Sequence, residues 1–552
     1  MREAPRRAYR RRKGGKAMSY LSKYKVILNP RLNMANFWDE TTKVYGDHNV
    51  GKLDEPLEYG CMSKDVLSYR DNLMLVNRMG NMLRELGVGR SDRVVIAMGN
   101  RIELLLLSYA CFKIGAIAVP LNYMLKGSEI KYVAENCGAK CLVTDRDVFD
   151  PNIKETDAIP GIETWVMAGP RSDCLQGFVS LDEMLDVSSE TLEPVRISKH
   201  ETVAIFYTSG TTGYPKGAMM TSHNLLTTQR ITAAVLPLSD RDIGISALPG
   251  AHLMGFAAAL VSFMVGVTGH FMKYFQPRKV LQAIQDSKGT IFIGVPAMYA
   301  ILLQAGAENY DLSSMKIWVS GADAMPVEHL RKFMSFGGIF FEAYGQVETS
   351  PITSIKISTK YFTFKHGCVG VTVYPVRTQI WDEDGNKVKK GEAGELVVRG
   401  PNVTKGYWDD SGRNEEAFRG GWFHTGDMAR RGEYSLLYFV DRKKDMVKAG
   451  GYSVFSKEVE EEMRAHPKID DVAVLGIPHP TKVEIVAAVC TPRKGEELTG
   501  EEVLLWCSEN IAGYKAPRYV EVRSEMPYGM TLKVLKRVLR EELVEKIDVS
   551  EL

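Results

Sequence analysis

Short apolar segments alternate with amphipathic ones along much of this chain, and this alternation restricts its fold more than any other feature. Residues 93–98 and 116–120 have the composition of buried strands, and residues 102–112 between them have the periodicity of a helix. Strands that alternate with helices of this length predict a doubly wound, mainly parallel α/β sheet. The alternation recurs over residues 203–344, so we expect a second unit of the same kind. Residues 18–60 lack such a pattern, and irregular structure is expected there.

The pattern changes after residue 368. Between residues 369 and 440 the strand-like segments become short and turn residues frequent, which predicts a small antiparallel β subdomain. Charged residues crowd the segment 441–445, as in an exposed linker, and short strands and amphipathic helices follow it. A chain of 552 residues is too long for one core. We therefore expect an N-terminal domain over residues 18–441, which includes the β subdomain, and a small α+β domain over residues 442–552.

The charge of the chain is concentrated at one end. Residues 1–17 contain eight Arg or Lys and one Glu, a net charge of +7, so the remainder carries −5 of the total of +2. A mildly acidic body lacks the electrostatic footprint of a nucleic-acid-binding protein. The basic segment itself could be an arm for nucleic acid or a membrane, but we favour a disordered extension that precedes Met18.

Membrane-spanning and disulfide-rich classes are disfavoured as well. The longest uncharged run, residues 253–269, spans 17 positions and contains three glycines, which predicts a buried core helix and no membrane span. The eight cysteines are scattered, and the pair Cys137 and Cys141, spaced like half a metal site, has no second pair near it. The composition therefore predicts a cytoplasmic protein with free thiols.

A loop rich in glycine and hydroxyl groups follows the strand-like run Val203–Tyr207. Its residues are Thr208, Ser209, Gly210, Thr211, Thr212, Gly213, Tyr214, Pro215, Lys216 and Gly217. Glycines let backbone N–H groups approach a polyanion, hydroxyls add neutral donors, and the lysine adds a point charge. The pattern favours a phosphate-binding loop, although it is not the Walker pattern, in which Ser or Thr follows Gly-Lys. An ordinary surface loop is the alternative.

Here the sequence resembles the adenylate-forming superfamily, which includes acyl-CoA synthetases, firefly-type luciferases and peptide-synthetase adenylation domains. Tyr207–Gly217 matches the signature loop of that family almost position for position, and further family motifs follow in order to about residue 540. The resemblance implies that the phosphates of ATP bind to Thr208, Ser209, Gly210, Thr211, Thr212, Gly213 and Lys216.

The resemblance extends to two predicted strand ends. Ligands of doubly wound sheets bind at the carboxyl ends of strands. The adenine-binding residues that the resemblance implies are Gly321, Ala322, Glu342, Ala343, Tyr344 and Gly345. Gly321 and Ala322 would line one face of the base, and Tyr344 would stack on the other.

Glu348, three residues after Gly345, is a natural ligand for Mg²⁺ beside a triphosphate, because this ion prefers oxygen ligands and substrate phosphates. The family has a threonine before this glutamate, whose hydroxyl binds the α-phosphate, whereas this chain has Val347. The absence of such a hydrogen bond costs roughly 1–3 kcal/mol, which would slow adenylation unless Thr349 compensates.

Motifs for ribose and CoA follow. Asp427 resembles the family aspartate that accepts hydrogen bonds from both ribose hydroxyls, and Arg442 resembles a second ribose contact. Lys444 matches the hinge about which the C-terminal domain rotates between two half-reactions. Lys448 matches a lysine of the second half-reaction, and the backbone of Gly450 and Gly451 would contact the pantetheine arm of CoA.

The last motif contains Lys533, which matches the lysine that bridges the carboxylate and the α-phosphate and stabilises developing negative charge. Leu532 stands where the family usually has glycine. At the other end of the substrate, His252 matches a residue at the mouth of the acyl pocket, and Val295 belongs to a pocket-adjacent Val-Pro turn.

The resemblance implies an AMP-forming acyl-CoA synthetase that uses ATP, Mg²⁺, CoA and a small-molecule carboxylate, as in fatty acid metabolism. The pocket-region residues are small or apolar and suit a medium-chain, branched or cyclic acid: Gly250, Ala251, Met254, Gly294 and Val295. A stand-alone enzyme that loads a carrier protein is an alternative, as is a nucleotide-binding homologue weakened at Val347 and Leu532. A luciferase-like oxygenase is disfavoured. Either a monomer or a homodimer is compatible with the sequence.

Overall fold

The computed structural model describes residues 22–154, 159–208, 215–365, 367–449, 452–479, 483–528 and 534–547. The chain divides into two compact units. The first comprises the residues up to 366 together with Gly370–Arg377 and Val398–Phe423, and the second comprises Gly367–Val369, Thr378–Val397 and the residues from His424 onward. The predicted domain boundary at residues 441–442 stays a prediction.

The strands that lie wholly or mostly in the first unit form two sheets. They are β1 (Asn49–Tyr59), β2 (Met62–Ser68), β3 (Arg93–Ala97), β4 (Ile117–Leu121), β5 (Cys141–Thr144), β6 (Thr164–Met167), β7 (Val179–Ser180), β8 (Thr202–Thr208), β9 (Lys216–Thr221), β10 (Ile243–Ser246), β11 (Thr268–Phe271), β12 (Ile291–Gly294), β13 (Ile317–Gly321), β14 (Ile339–Tyr344), β15 (Ser354–Ser358) and β16 (Cys368–Thr372). One sheet has the order β7-β6-β5-β3-β4-β8-β9, and the other the order β16-β15-β14-β13-β12-β10-β11-β1-β2.

Helices connect these strands. They are α1 (Ser22–Ile27), α2 (Phe37–Tyr45), α3 (Tyr69–Glu85), α4 (Ile102–Ile114), α5 (Gly127–Cys137), α6 (Arg146–Val148), α7 (Leu181–Val187), α8 (Ser222–Val235), α9 (Leu253–Val265), α10 (Pro277–Ser287), α11 (Pro296–Gln304), α12 (Val327–Phe336) and α13 (Ser411–Ala417). Strands β3 to β8 pair in parallel in one sheet, as do β1 and β10 to β14 in the other. The predicted α/β class is therefore confirmed.

Several local predictions are confirmed too. The strands expected at residues 93–98 and 116–120 are β3 and β4, the helix between them is α4, and the apolar run after His252 forms the buried helix α9. The eight cysteines are free thiols. Within the described ranges, no helix is long and apolar enough to cross a membrane.

The expectation of irregular structure over residues 18–60 was wrong, because α1, α2 and β1 lie there. Strand β1 pairs antiparallel with its neighbour β2 and in parallel with β11, with Gly51 opposite Gly269, so one of its two partners is more than 200 residues away. A local pattern cannot reveal such a partner, since the strand is stabilised by pairing and burial and not by its own propensity.

The core beside β10 and β12 to β14 is aromatic. Its fully buried rings are Phe292, Tyr299, Trp318, Phe333 and Phe340. Tyr299 and Phe333 meet edge to face with centroids 4.9 Å apart, and the Tyr299 hydroxyl donates to the Val319 carbonyl at 2.8 Å. Tyr299 is thus a core residue, and this packing fixes the strands that carry the predicted adenine-binding residues.

The second unit contains two groups of strands. Its elements are β17 (Arg377–Trp381), β18 (Ala393–Arg399), β19 (Phe423–Arg431), β20 (Leu437–Arg442), β21 (Val447–Ala449), β22 (Tyr452–Val454), β23 (Ile469–His479), β24 (Val483–Pro492), β25 (Tyr519–Val522), α14 (Ser456–Met463), α15 (Gly500–Asn510) and α16 (Lys536–Lys546). Strands β17 to β20 lie in sequence order, and β22-β21-β24-β23 form a sheet in which β25 pairs with β24. Alternate residues of β23 and β24 pack into two cores, one with α14 and α15 and one with α16.

Candidate functional site

The carboxyl ends of β12, β13 and β14 lie side by side in the first unit. Gly294 pairs with Ser320, and Gly321 pairs with Ala343. A Cβ atom at Gly321 would lie 3.1 Å from the Ala343 carbonyl oxygen, so glycine allows the two strand ends to approach closely. The predicted adenine-binding residues are thus brought together at the edge of the sheet where ligands of such folds bind, and their contact with adenine stays a prediction.

The chain turns sharply after β14, and this turn positions Glu348. A Cβ atom at Gly345 would lie 1.9 Å from the Pro351 carbonyl oxygen, so only glycine permits the turn. Residues Val347–Thr349 form one turn of 3-10 helix. The side chain of Glu348 is buried, with 7% of the residue exposed.

Thr349 does not supply the hydroxyl that Val347 lacks. Its side chain is fully buried, accepts a hydrogen bond from the Gln346 backbone N–H at 2.9 Å and donates to the Gln346 carbonyl at 3.1 Å. This hydroxyl is committed to closing its own turn. Thr349 therefore does not replace the α-phosphate donor that valine at position 347 cannot provide.

The predicted phosphate-binding lysine and the predicted metal ligand meet at Tyr407. The Tyr407 hydroxyl donates to Glu348 Oε1 at 2.7 Å and lies 3.4 Å from Lys216 Nζ, which donates to it. Lys216 Nζ also lies 4.8 Å from the centre of the Tyr407 ring. Burial and the charge of Glu348 raise the pKa of Tyr407 well above its ordinary value, so the phenol stays protonated and remains a donor.

Sequence reasoning missed Tyr407. It follows Gly406 in a polar stretch that has neither strand nor helix periodicity. A Gly-Tyr pair in a loop is too common to single out, and only the tertiary structure shows that the residue is 4% exposed and lies between two charged side chains.

The donor set around Glu348 fits Mg²⁺ held together with a substrate. Among the described residues, no group of three or more His, Cys, Asp or Glu side chains could hold a metal ion without help. Mg²⁺ typically binds through one or two carboxylates, substrate phosphates and water. A single buried carboxylate that shares the Tyr407 hydroxyl with Lys216 matches that requirement.

Strands β8 and β9 form an antiparallel hairpin, and the predicted phosphate-binding loop connects them. Thr208, the last residue of β8, pairs with Lys216, the first residue of β9. A Cβ atom at Gly217 would lie 2.6 Å from the Ile205 side chain, so glycine is needed for this pairing. The predicted phosphate-binding residues Ser209, Gly210, Thr211, Thr212 and Gly213 lie outside the described residues.

At the predicted acyl pocket, His252 immediately precedes helix α9 and caps its first turn. Its Nδ1 accepts a hydrogen bond from the Met254 backbone N–H at 3.2 Å, and its side chain is exposed. The preceding turn is held by Asn100, which sequence reasoning missed. Asn100 Oδ1 accepts from the Gly250 N–H at 2.8 Å, and its Nδ2 donates to two carbonyl groups.

Packing explains part of the small-residue pattern in this region. A Cβ atom at Gly294 would lie 2.8 Å from the Phe292 ring, and one at Gly250 would lie 3.3 Å from Leu105 Cδ2. These two glycines make room for neighbouring protein atoms, so their size says little about the acid. Met254 and Val295 are partly buried and pack against the aromatic core, and they keep an apolar character at this place.

In the second unit, the two predicted ribose contacts face each other. Asp427 on β19 is the cross-strand partner of Arg442 on β20. Arg442 Nε lies 3.9 Å from Asp427 Oδ1, and Asp427 is 5% exposed whereas the Arg442 side chain is 46% exposed. The antiparallel register therefore brings together residues that are 15 positions apart.

Glu395, also missed from the sequence, braces this pair. Its Oε2 accepts from Lys443 Nζ at 3.0 Å and from His424 Nδ1 at 3.2 Å. Its Oε1 accepts from the Gly426 N–H at 3.2 Å. Burial opposes ionisation, but the hydrogen bonds from His424 and Lys443 outweigh it and lower the pKa of Glu395. An ionised carboxylate thus ties the turn before Asp427 to the segment around Lys444.

The remaining predicted residues lie around β21. Lys444 lies in the turn between β20 and β21, where chain direction changes. Lys448 is on β21, and its Nζ lies 3.1 Å from Glu383 Oε1. Gly450, Gly451 and Lys533 lie outside the described residues. Tyr528 and Val534, which flank the Lys533 motif, form an antiparallel bridge.

Comparison with known proteins identifies the family. Residues 54–408 match the family model described as "AMP-binding enzyme", and residues 458–530 match the family model described as "AMP-binding enzyme C-terminal domain". The chain belongs to the family of AMP-binding enzymes. Feruloyl-CoA synthase of an Amycolatopsis species is 32% identical over 478 residues, which cover 86% of this chain and 93% of that relative. Long-chain-fatty-acid–CoA ligase of Bacillus subtilis strain 168 is 30% identical over 510 residues, with 87% and 90% covered.

A solved structure supports the same family assignment. ATP-bound MatB from Rhodopseudomonas palustris matches this AMP-binding enzyme with a TM-score of 0.82 at 28% identity, and the match covers 93% of this chain and 100% of MatB. The resemblance to the adenylate-forming superfamily is thereby confirmed. The protein is an AMP-forming acid–thiol ligase that works through an acyl-adenylate.

Proposed function

We propose that this enzyme joins a carboxylic acid to CoA, with Mg²⁺ as the cofactor of its first half-reaction. The acid is medium-chain, branched or cyclic and carries no charged group besides the reacting carboxylate. The observation that carries the proposal is the meeting of Lys216 and Glu348 at the Tyr407 hydroxyl. A cation for phosphate and a carboxylate for the metal are thus held within one hydrogen-bonded group in the first unit.

In the first half-reaction, a carboxylate oxygen of the acid attacks the α-phosphorus of ATP, and pyrophosphate leaves with the electron pair of the broken P–O bond. Lys216 and the loop after Thr208 bind the phosphates, and Glu348 would hold the metal. When bound, Mg²⁺ neutralises phosphate charge and lowers the cost of bringing a carboxylate to phosphorus. Lys533 stabilises the charge that develops between carboxylate and phosphate.

In the second half-reaction, the C-terminal domain rotates about Lys444 and Lys448 takes part in thioester formation. The CoA thiolate attacks the acyl carbon, the C–O bond of the mixed anhydride breaks, and AMP leaves. Asp427 and Arg442 hold the ribose through both steps, which a buried carboxylate that accepts two hydrogen bonds does well.

The class of acid is inferred from the pocket residues of this chain, because its relatives are named for different acids and do not agree on one substrate. Met254 lies beside Gly321, since a Cβ atom there would be 3.4 Å from Met254 Cε. The apolar pocket residues therefore adjoin the predicted adenine-binding strand end, as an acyl-adenylate requires. The apolar character of Ala251, Met254 and Val295 favours an acid with no second charge.

The test measures AMP release from ATP and Mg²⁺ with straight-chain, branched, aromatic, alicyclic and dicarboxylic acids, with and without CoA. We expect CoA-dependent AMP release with one group of acids that carry a single carboxylate. AMP or acyl-adenylate without any response to CoA would favour the carrier-loading alternative. Turnover confined to the dicarboxylic acids would refute the proposed substrate class.

A further inference from the structure

The segment Asn402–Trp408 fastens the phosphate-binding hairpin to the turn that carries Glu348. On one side, the Trp408 N–H donates to the Gly217 carbonyl at 2.8 Å and the Met219 N–H donates to the Gly406 carbonyl at 2.9 Å. These bonds attach the segment to β9, directly after Lys216.

On the other side, the same segment holds the Glu348 turn. The Thr404 N–H donates to the Glu348 carbonyl at 2.7 Å, and Asn402 Nδ2 donates to the Thr349 and Ile352 carbonyls at 2.9 and 2.8 Å. The backbone of Tyr407 is bonded at both its N–H and its carbonyl by the Asn414 side chain. Tyr407 therefore has little freedom to leave its place between the two attached elements.

The Tyr407 hydroxyl performs two roles at once. It donates its proton to Glu348 Oε1 and accepts from Lys216 Nζ. A buried carboxylate needs such a donor, and a bond to one oxygen fixes the rotation of the carboxylate while the other oxygen stays available for a further ligand. A neutral bridge also differs from a direct Lys–Glu ion pair, which a nucleotide would have to break before it could use either charge.

We propose that Tyr407 is a positioning residue for the adenylation half-reaction, one that orients the Glu348 carboxylate for Mg²⁺ and keeps Lys216 near the phosphates. This inference rests on the proposed function and deepens it. Tyr407 would act through Glu348 and Lys216, the two side chains that its hydroxyl contacts.

The test compares Tyr407→Phe with Tyr69→Phe. Tyr69 is also buried, and its hydroxyl donates to the Phe263 carbonyl at 2.7 Å, far along the chain from Lys216 and Glu348. Both variants lose one buried hydroxyl and keep the ring, so a general loss of packing or stability affects them alike. Only the Tyr407 variant loses the bond to the metal ligand.

The first readout is metal binding without turnover. Mn²⁺ is titrated into enzyme saturated with α,β-methylene-ATP, and free Mn²⁺ is measured by electron paramagnetic resonance. We expect the Kd for Mn²⁺ to rise about tenfold or more in Tyr407→Phe, as for loss of a hydrogen bond to a charged group, and to stay unchanged in Tyr69→Phe. In a Glu348→Gln background, Tyr407→Phe should add little, because the two residues act as one unit.

The second readout separates the half-reactions. Adenylation should require more Mg²⁺ in Tyr407→Phe, whereas thioester formation from supplied acyl-AMP and CoA should proceed at the wild-type rate. An unchanged Kd for Mn²⁺ with loss of thermal stability in both variants would overturn the proposal and leave Tyr407 a structural residue. If the wild type adenylated no acid while the Kd still responded to Tyr407, the positioning role would hold and the proposed substrate would be wrong.

Discussion

The ammonium of Lys448 lies 3.1 Å from the Glu383 carboxylate, and both belong to the second unit. Their side chains are 47% and 76% exposed, and exposed pairs of this kind contribute only about 0–1 kcal/mol to stability. The pair therefore matters less for folding than for where Lys448 is held. A weak contact of this strength can be exchanged for a contact with a substrate.

The first prediction concerns this pair. We expect Lys448→Ala to reduce thioester formation from acyl-AMP and CoA while adenylation stays near the wild-type rate. Glu383→Gln should leave the thermal midpoint unchanged and raise the rate of thioester formation by up to about fivefold, the equivalent of a weak surface pair. Separate assays of pyrophosphate exchange and thioester formation check both statements. Equal loss of both half-reactions in Lys448→Ala would show that the lysine is structural.

A second prediction separates Lys533 from the nearby Lys536. Lys533→Ala should abolish adenylation and spare thioester formation from supplied acyl-AMP. Lys536 has a structural partner, since its Nζ lies 2.6 Å from Oε1 of Glu460, which is 4% exposed. Lys536→Ala should therefore destabilise the second unit by on the order of 3 kcal/mol and lower both half-reactions together. Calorimetry and the two half-reaction assays distinguish these patterns, and adenylation that survived in Lys533→Ala would contradict its assigned role.

A third prediction uses the buried carboxyl group of Asp145. It accepts hydrogen bonds from the Gly99 and Val148 N–H groups, and burial raises its pKa from 3.8 to about 6. An acid whose pKa is raised by folding stabilises the folded state at pH values below its pKa in the unfolded chain. This stabilisation is lost as the pH rises through its pKa in the folded protein.

The free energy of unfolding of the wild type, relative to that of Asp145→Asn, should thus fall by roughly 3 kcal/mol between pH 3 and pH 7 and should stay constant above pH 7. Denaturant unfolding of both proteins across this range measures the difference. A difference that did not vary with pH would show that Asp145 titrates at its unfolded value.

These sites show which features a sequence can reveal. Strand β8, helix α9 and the cross-strand pair Asp427 and Arg442 follow from local pattern or from motif order. Tyr407 and Glu395 do not. Tyr407 lies 59 residues from Glu348 and 191 from Lys216 along the chain, and nothing in its local pattern specifies either contact.

The early strand β1 was missed for the same reason. Its polar and apolar residues do not alternate cleanly, and one of its two partner strands, β11, lies more than 200 residues away. Gly294 and Gly345 show the opposite case. The sequence marks both positions as glycine, but only the structure shows that a neighbouring ring or carbonyl group leaves no room for a side chain there. Long-range contacts of single side chains are thus the part of the site that pattern and motif order leave undetermined.

The last prediction concerns Val347, where the family has threonine. The side chain is half-buried in the turn that carries Glu348, and the hydroxyl of Thr349 is committed to Gln346. Val347→Thr should therefore restore a donor to the α-phosphate and raise kcat/KM for adenylation about tenfold, as for one hydrogen bond to a charged group. Thioester formation from supplied acyl-AMP should change much less, because the added donor acts where charge develops on phosphorus. Val347→Ala is the control, since it changes the size of the side chain without adding a hydroxyl. If Val347→Thr adenylated no faster than Val347→Ala, the missing hydroxyl would not limit this enzyme, and the phosphate contacts of Lys216 and the loop before it would be sufficient.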